Sequence, residues 1–270
     1  MNIPASLRTT FENLSTQSDN SFNMIEAALA VSKLLKPSGK IEQAQTKLTQ
    51  LIERLNDAAR DKAKVDALQK VMSQEEGFHG DEDAFDDLDH MNLFCVLENK
   101  CATALTLSLL YVHCAQMCGW SAHVLNFPGY CLIAIDEGNK RVIIDPFNGC
   151  VELDAYNLRQ FLKVIGGAEA ELKPQFYEAI SAKTVAIRHI NAIKGHFLRC
   201  QQLEQALDML QIVTLLEPTS GAFWRETGLL QARIGQTEAA TQALKTSLKY
   251  TRDINAIRHT ENILADLDKP

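Results

Sequence analysis

Three side chains in the middle of this chain could together attack a carbonyl. Cys101 opens a long apolar run, His123 sits in the short alternating stretch SAHVLNF, and Asp145 closes RVIID. A thiol near a helix start, an imidazole to take its proton and a carboxylate to orient the imidazole are the parts of cysteine-dependent acyl chemistry. Read this way, Cys101 is the nucleophile, His123 its base and Asp145 the orienting acid of an amide hydrolase or acyltransferase. Each residue also has a plainer reading. A free cysteine is a common small core residue. An aspartate followed by Pro146 is a natural turn acceptor that fixes the end of a strand, and for Asp145 that reading weighs more.

Other reactive groups point to packing. His113, Cys114 and Cys118 fall on one helical stretch, with Cys131 or Cys150 as further soft ligands. Zinc sites use paired cysteine knuckles in loops, and one pair inside an apolar helix is not that pattern, so no metal is expected. Asp81, Asp83, Asp86 and Asp87 lack the spacing and closing glutamate of a calcium loop. They belong to the segment 75–90, which holds eight acids and no Lys or Arg, while the formal net charge of the whole chain is -7. The acidity is therefore local. It suits a solvated loop and argues against nucleic acid as a partner. No glycine-rich phosphate loop, dinucleotide fingerprint or kinase signature is present, so no cofactor is expected.

The seven cysteines are odd in number in a chain too long to need disulfide staples. With no secretory leader pattern, a reducing, cytoplasmic setting is expected. The stretch from Cys101 to Ile135 carries no Asp, Glu, Lys or Arg. It is interrupted by Thr103, Thr106, Ser108, His113 and Gln116, which suits a buried core helix and no membrane span.

These groups need elements to hold them. Apolar residues at helical spacing predict one helix through Phe22, Ile25, Leu29 and Leu35, ended by Pro37-Ser38-Gly39. A second runs through Ile41, Leu48 and Leu55, and a third through Val65, Leu68 and Met72. The central helix is expected from Cys101 to Cys118, with Cys101 in its first turn and Gly119 as its stop. SAHVLNF, CLIAI and RVIID read as three strands, the last two an antiparallel hairpin turning at Glu137-Gly138-Asn139. Asp154 can cap a helix through Leu158 and Leu162. From about residue 188 the chain reads as all helix, and Ala206 and Leu210 recur as Ala240 and Leu244, an offset of 34. A helical hairpin leaves one apolar face uncovered until a neighbour covers it. Repeats are placed near 188–221 and 222–255, with a capping helix through Ile263 and Leu267. Phe223 and Trp224 would pack between helices, whereas Arg225, Gln231 or Lys245 could face a bound peptide.

The stretches GFHGDEDAFDDLDHMNLFCVLENK and CATALTLSLLYVHCAQMCGWSAHVLNFPGYCLIAIDEGNKRVIIDPFNG, followed by the repeats, resemble the bacterial transglutaminase-like family with C-terminal tetratricopeptide repeats, known as an invasion-regulator family. The resemblance implies an α+β fold: a helical N-terminus and a small antiparallel sheet in a transglutaminase-like (papain-like) core over residues 1–180, then an α-helical tetratricopeptide-type tail over 188–270. It also implies where a triad would lie, with the nucleophile at Thr103, the histidine at Tyr130 and the acid at Asp145. In that family the central helix opens with Arg-Gly-x-Pro and the strand motif is Phe-Pro-Gly-His-Phe. Here these are Lys100-Cys101-Ala102-Thr103 and Phe127-Pro128-Gly129-Tyr130-Cys131. Tyrosine, with a reference pKa of ~10, is a poor base near neutrality. The expected function is accordingly that of a non-catalytic, protein- or peptide-binding regulatory protein with a degenerate site. The alternative is the Cys101-dependent enzyme.

Overall fold

The computed structural model describes residues 3–19, 21–81 and 86–267. By its contacts the chain forms two compact units, one from Asp19 to His189 and one joining the N-terminal helix to the residues from Ile190 onward.

The larger unit is built around one helix. α2 (Met24–Leu35) starts where Asn23 accepts the Glu26 amide, and α3 (Ile41–Ala58) buries Ala44, Leu48, Leu51 and Leu55 on one stripe. Both pack on α6 (Ala104–Met117). α6 is apolar all round, with Leu107, Leu109, Leu110, Tyr111 and Cys114 fully buried, as a helix enclosed on every side must be. Its remaining side meets β3 (Ala122–Val124), the first strand of an antiparallel sheet in the order β3, β4 (Ile133–Glu137), β5 (Lys140–Asp145) and β6 (Val151–Glu152). Ile133 pairs with Ile144 and Ile135 with Val142, so the hairpin register follows the apolar pattern. α7 (Ala155–Gly166) begins in a capping box formed by Asp154 and Asn157 and packs Leu158 and Leu162 under the sheet.

Several elements differ from the sequence reading. The third expected helix is α4 (Lys64–Leu68) running into a π-helical stretch, Gln69–Glu75. A short helix, α5 (Leu93–Asn99), ends at Lys100, which turns left-handed at φ 66°. That turn releases Cys101 and Ala102 from helix into a short strand, β2, which pairs in parallel with β1 (His79–Gly80). Cys101 is therefore not in the first turn of the central helix, which begins only after Thr103. Residues 82–85 of the acidic segment, and with them the expectation for Asp83, lie outside the described residues.

The second unit is all helix. Here α1 (Ala5–Ser15), which the apolar pattern did not announce, buries Leu7, Phe11 and Leu14 and packs on α9 (Leu203–Leu216). The sequence reading set residues 1–18 with the first domain; their apolar face is instead used on α9. From Ile190 onward α8 (Ala182–Arg199) belongs to this unit. α10 (Gly221–Arg233), α11 (Thr237–Tyr250) and α12 (Ile254–Leu267) follow with turns of a few residues. α11 begins and ends 34 residues after α9, and α10 ends 34 residues after α8. α10 and α11 approach closely because Gly228 has no side chain: a Cβ there would strike Leu244 and the Ala240 carbonyl.

The repetition extends to the backbone of the turns. Gly235 is left-handed at φ 81°, and 34 residues earlier Gln201 is left-handed at φ 57°. Glycine adopts this conformation freely, while a residue with a Cβ meets a cost of about 1–2 kcal/mol. Gln201 offsets little of that through its exposed bonds to Arg233 and the Leu198 carbonyl. Replacing Gln201 with glycine is expected to stabilise the protein by about 0.5–1 kcal/mol after the greater freedom of the unfolded glycine is subtracted. Urea denaturation reads this as a higher midpoint with an unchanged slope; a lower midpoint would show that the side-chain bonds outweigh the strain.

Candidate functional site

Three backbone segments meet where α6 begins. β2 delivers Thr103 to the helix, whose amide donates to the His90 carbonyl at 3.1 Å. β1 lies beside β2 with Gly80 opposite Ala102. The Gly80 amide donates to the Phe147 carbonyl at 3.1 Å, which seats the Asp145–Asn148 turn on β1. That seat requires glycine, since a Cβ at position 80 would fall within the Phe147 ring. A fourth attachment comes from Ser108, one turn into α6, whose hydroxyl donates to the Cys131 carbonyl at 2.8 Å. Positions 103, 130 and 145 thus sit on segments tied to the N-terminal part of one helix.

At each position the side chain already has a structural task. Thr103 is the N-cap of α6: Oγ1 accepts the Thr106 amide at 3.3 Å and shares a 2.9 Å hydrogen bond with the Thr106 hydroxyl. Tyr130 stacks its ring on Phe161 of α7, with centroids 4.4 Å apart and planes within 2°, at the margin of a cluster holding Leu125, Phe127 and Leu132. Asp145 is 1% exposed. Its Oδ1 accepts the Phe147 amide at 2.9 Å and the Asn148 amide at 3.4 Å, and its Oδ2 accepts the Asn148 side-chain amide at 2.7 Å. This is the turn-acceptor arrangement that the sequence favoured for Asp145.

Cys101 and His123 are not brought together. Cys101 precedes the start of α6. His123 lies beyond its end, among Gln116, Gly119 and Trp120 around a cavity of about 840 Å³. A helix of this length separates the two ends by about 20 Å. The imidazole Nε2 is 3.2 Å from the Ser121 hydroxyl, and no hydrogen bond joins it to Cys101 or Asp145 among the described residues. The Cys101 thiol is pushed up by burial and then by the negative charges of Asp81 and Asp87, the opposite of thiolate activation. Cys131, beside Tyr130, is pushed up to about 11 by burial, with Arg188 opposing and Asp145 adding to the shift. Among the described residues no group of three or more His, Cys, Asp or Glu side chains is placed to hold a metal ion. Cys118 donates to the Ile52 carbonyl at 3.6 Å, and Cys114 is enclosed in the core.

One residue near the site gave no signal in the sequence. His189 is 1% exposed, and its Nε2 lies 2.9 Å from the Met91 carbonyl. A carbonyl only accepts, so Nε2 carries the proton and Nδ1 is left bare and buried. The bond fixes the first part of α8 to the turn that precedes α5, next to the His90 carbonyl that receives Thr103. Burial lowers the His189 pKa to about 4.

Comparison with known proteins agrees with this architecture. Residues 41–191 match the sequence profile of the transglutaminase-like superfamily. A UPF0162 protein of Vibrio cholerae is 25% identical over 227 residues, covering 82% of this chain and 84% of its own length. One from Xylella fastidiosa strain Temecula1 is 22% identical over 264 residues, 95% of this chain and 94% of the other. One from Buchnera aphidicola subsp. Schizaphis graminum is 29% identical over 141 residues, 52% of each. No solved structure matches the chain.

Two outcomes follow from the geometry. Thr103→Ala should cost about 1 kcal/mol in denaturant stability, and Thr103→Ser should restore most of it, because the capping oxygen is what matters. His189 is neutral in the folded protein and titrates near 6.5 when unfolded, so protons favour the unfolded state. Its contribution is complete above pH 6.5 and is lost as pH falls toward 4, on the order of 3 kcal/mol in total. Denaturation between pH 6.5 and 5, above the carboxylate range, should show stability falling with pH, and His189→Gln should remove about half of that slope, because burial lowers the His113 pKa to about 4 as well. An unchanged slope would remove His189 as its source.

Proposed function

The chain belongs to the transglutaminase-like superfamily, and from that membership we propose that it is a protein-interaction or regulatory protein whose transglutaminase-like site has lost its chemistry. The observation that carries this reading is the engagement of Asp145. An acid of a triad orients an imidazole; here both oxygens are taken by the Phe147 and Asn148 donors of its own turn. Thr103, at the nucleophile position, uses its hydroxyl to cap the helix. Tyr130, at the histidine position, uses its ring for packing. A threonine also needs a base or an N-terminal amine to become a nucleophile.

The partner in this reading is a cytoplasmic protein or peptide, met through the C-terminal helices acting as tetratricopeptide-type repeats. The 34-residue recurrence of helix bounds and turn conformation supports the repeat assignment. Lys245 is exposed on α11 and suits such a contact. Arg225 and Gln231 on α10 are half-buried, with Nε and Oε1 enclosed and lacking a partner among the described residues. No helix among the described residues is long and apolar enough to cross a membrane. The rival reading, catalysis by Cys101 with His123, draws no support from a thiol flanked by acids at the far end of a helix from its base.

Alkylation of the native protein with iodoacetamide across pH, read by peptide mass spectrometry, separates the two. The expected order is exposed Cys200 first, then Cys101 with a midpoint above the ~8.5 of a free thiol, with buried Cys95, Cys114 and Cys150 last. Fast modification of Cys101 near neutrality would restore the enzyme reading. In Thr103→Cys, the new thiol at the start of α6 should titrate below Cys101, because the helix N-terminus favours its anion. Equal midpoints would detach Thr103 from the nucleophile position.

A further inference from the structure

Away from the site just described, the link between α2 and α3 forms a cavity of about 230 Å³ against α5. Lys36, Lys40 and Lys47 line it together with Phe94, Leu97 and Glu98. Its lysines are unequally engaged. Lys36 donates to the Cys95 thiol at 3.4 Å and approaches Glu98 to 3.7 Å, Lys47 reaches the Leu97 carbonyl at a long 3.5 Å, and Lys40 is exposed with no partner among the described residues.

Lys33, outside the lining of the cavity, orients the link. Its ammonium donates to the Pro37 carbonyl at 2.7 Å and to the Gly39 carbonyl at 2.8 Å. In a trans peptide the carbonyl and the following N–H point opposite ways. The amides of Ser38 and Lys40 are therefore turned away from Lys33. α3 opens without a side-chain cap, so the first amides of an 18-residue helix also lack an acceptor. Gly39 keeps the link pressed on α5, since a Cβ there would enter the Phe94 ring.

We propose that this pocket binds a small soluble phosphate monoester through its phosphate group, with the lysines matching its charge and the Phe94–Leu97 wall meeting its organic part. A phosphate at neutral pH carries close to two charges and three acceptor oxygens. That suits several converging ammonium groups better than a carboxylate would, with its single charge and two oxygens. A membrane headgroup is the less suited source of the same phosphate. Surface binding needs a broad basic face, and here Glu42 and Glu98 flank the lysines.

The test is a titration of the full chain with inorganic phosphate and with glycerol 3-phosphate at low ionic strength, followed by amide NMR and by calorimetry. Saturable shifts at Ser38–Gln43 are expected. The double variant Lys40→Gln/Lys47→Gln should weaken binding about tenfold or more, while Lys70→Gln, in the separate Arg54–Glu75 cluster, should leave it unchanged. Melting curves of the variants confirm that each is folded. Non-saturating shifts spread over many lysines, or equal affinity in the double variant, would overturn the assignment. So would sedimentation with anionic vesicles in a protein that shows no saturable binding of either free phosphate.

Discussion

A carboxylate buried at the end of a sheet must find donors or lose its charge. Asp145 is in that position, and its donors are the residues that follow it. The consequence is mechanical as well as electrostatic. Turning the chain back on Asp145 points the Phe147 carbonyl at the Gly80 amide and lays the Phe147 ring where a side chain at position 80 would be. Gly80 holds β1 beside β2, and β2 ends at the cap of α6. One buried acid thereby ties the sheet, the edge of the acidic segment and the start of the central helix. Loss of the carboxylate would leave buried amides without acceptors, at ~1–3 kcal/mol each.

The scaffold at the start of α6 is held without any reactive group. None of the contacts that place position 103 involves a nucleophile: they are backbone bonds and a close approach at a glycine. Threonine is a better helix cap than cysteine because its oxygen accepts the Thr106 amide. Tyrosine fills the space beside Phe161 with a larger flat ring than histidine would. Both residues suit the fold where they stand, so local stability opposes neither.

What the sequence made legible has the same logic. The hairpin of β4 and β5, the cap at Asp154, and the 34-residue recurrence are written in local pattern, and local pattern is what a sequence displays. The role of Asp145 was legible for that reason too, since its partners lie two and three residues away. The release of Cys101 from the helix was not. It depends on a left-handed Lys100 and on pairing with His79–Gly80, more than twenty residues earlier, where no alternation longer than two residues marks a strand. The packing of α1 on α9 and the bond from His189 to the Met91 carbonyl are long-range matches of the same kind, visible only once the chain is folded.

Residue types alone are a poor guide to chemistry, and the far end of α6 shows why. Ser121, His123 and Asp136 stand together there, the same three types that hydrolyse esters elsewhere. Their order is wrong. The Ser121 hydroxyl donates to Asp136 at 2.6 Å, so its proton is directed at the carboxylate and not at the imidazole 3.2 Å away. Arg141 donates to both oxygens of Asp136 and, with Ser121, lowers its pKa to about 2. The acid is then spent on an arginine and a hydroxyl, and among the described residues no carboxylate hydrogen-bonds the imidazole to orient it toward the serine. A triad requires the acid on the imidazole and the imidazole on the hydroxyl. Which acceptor each proton already faces decides the chemistry, both at this edge of the sheet and at the start of the helix.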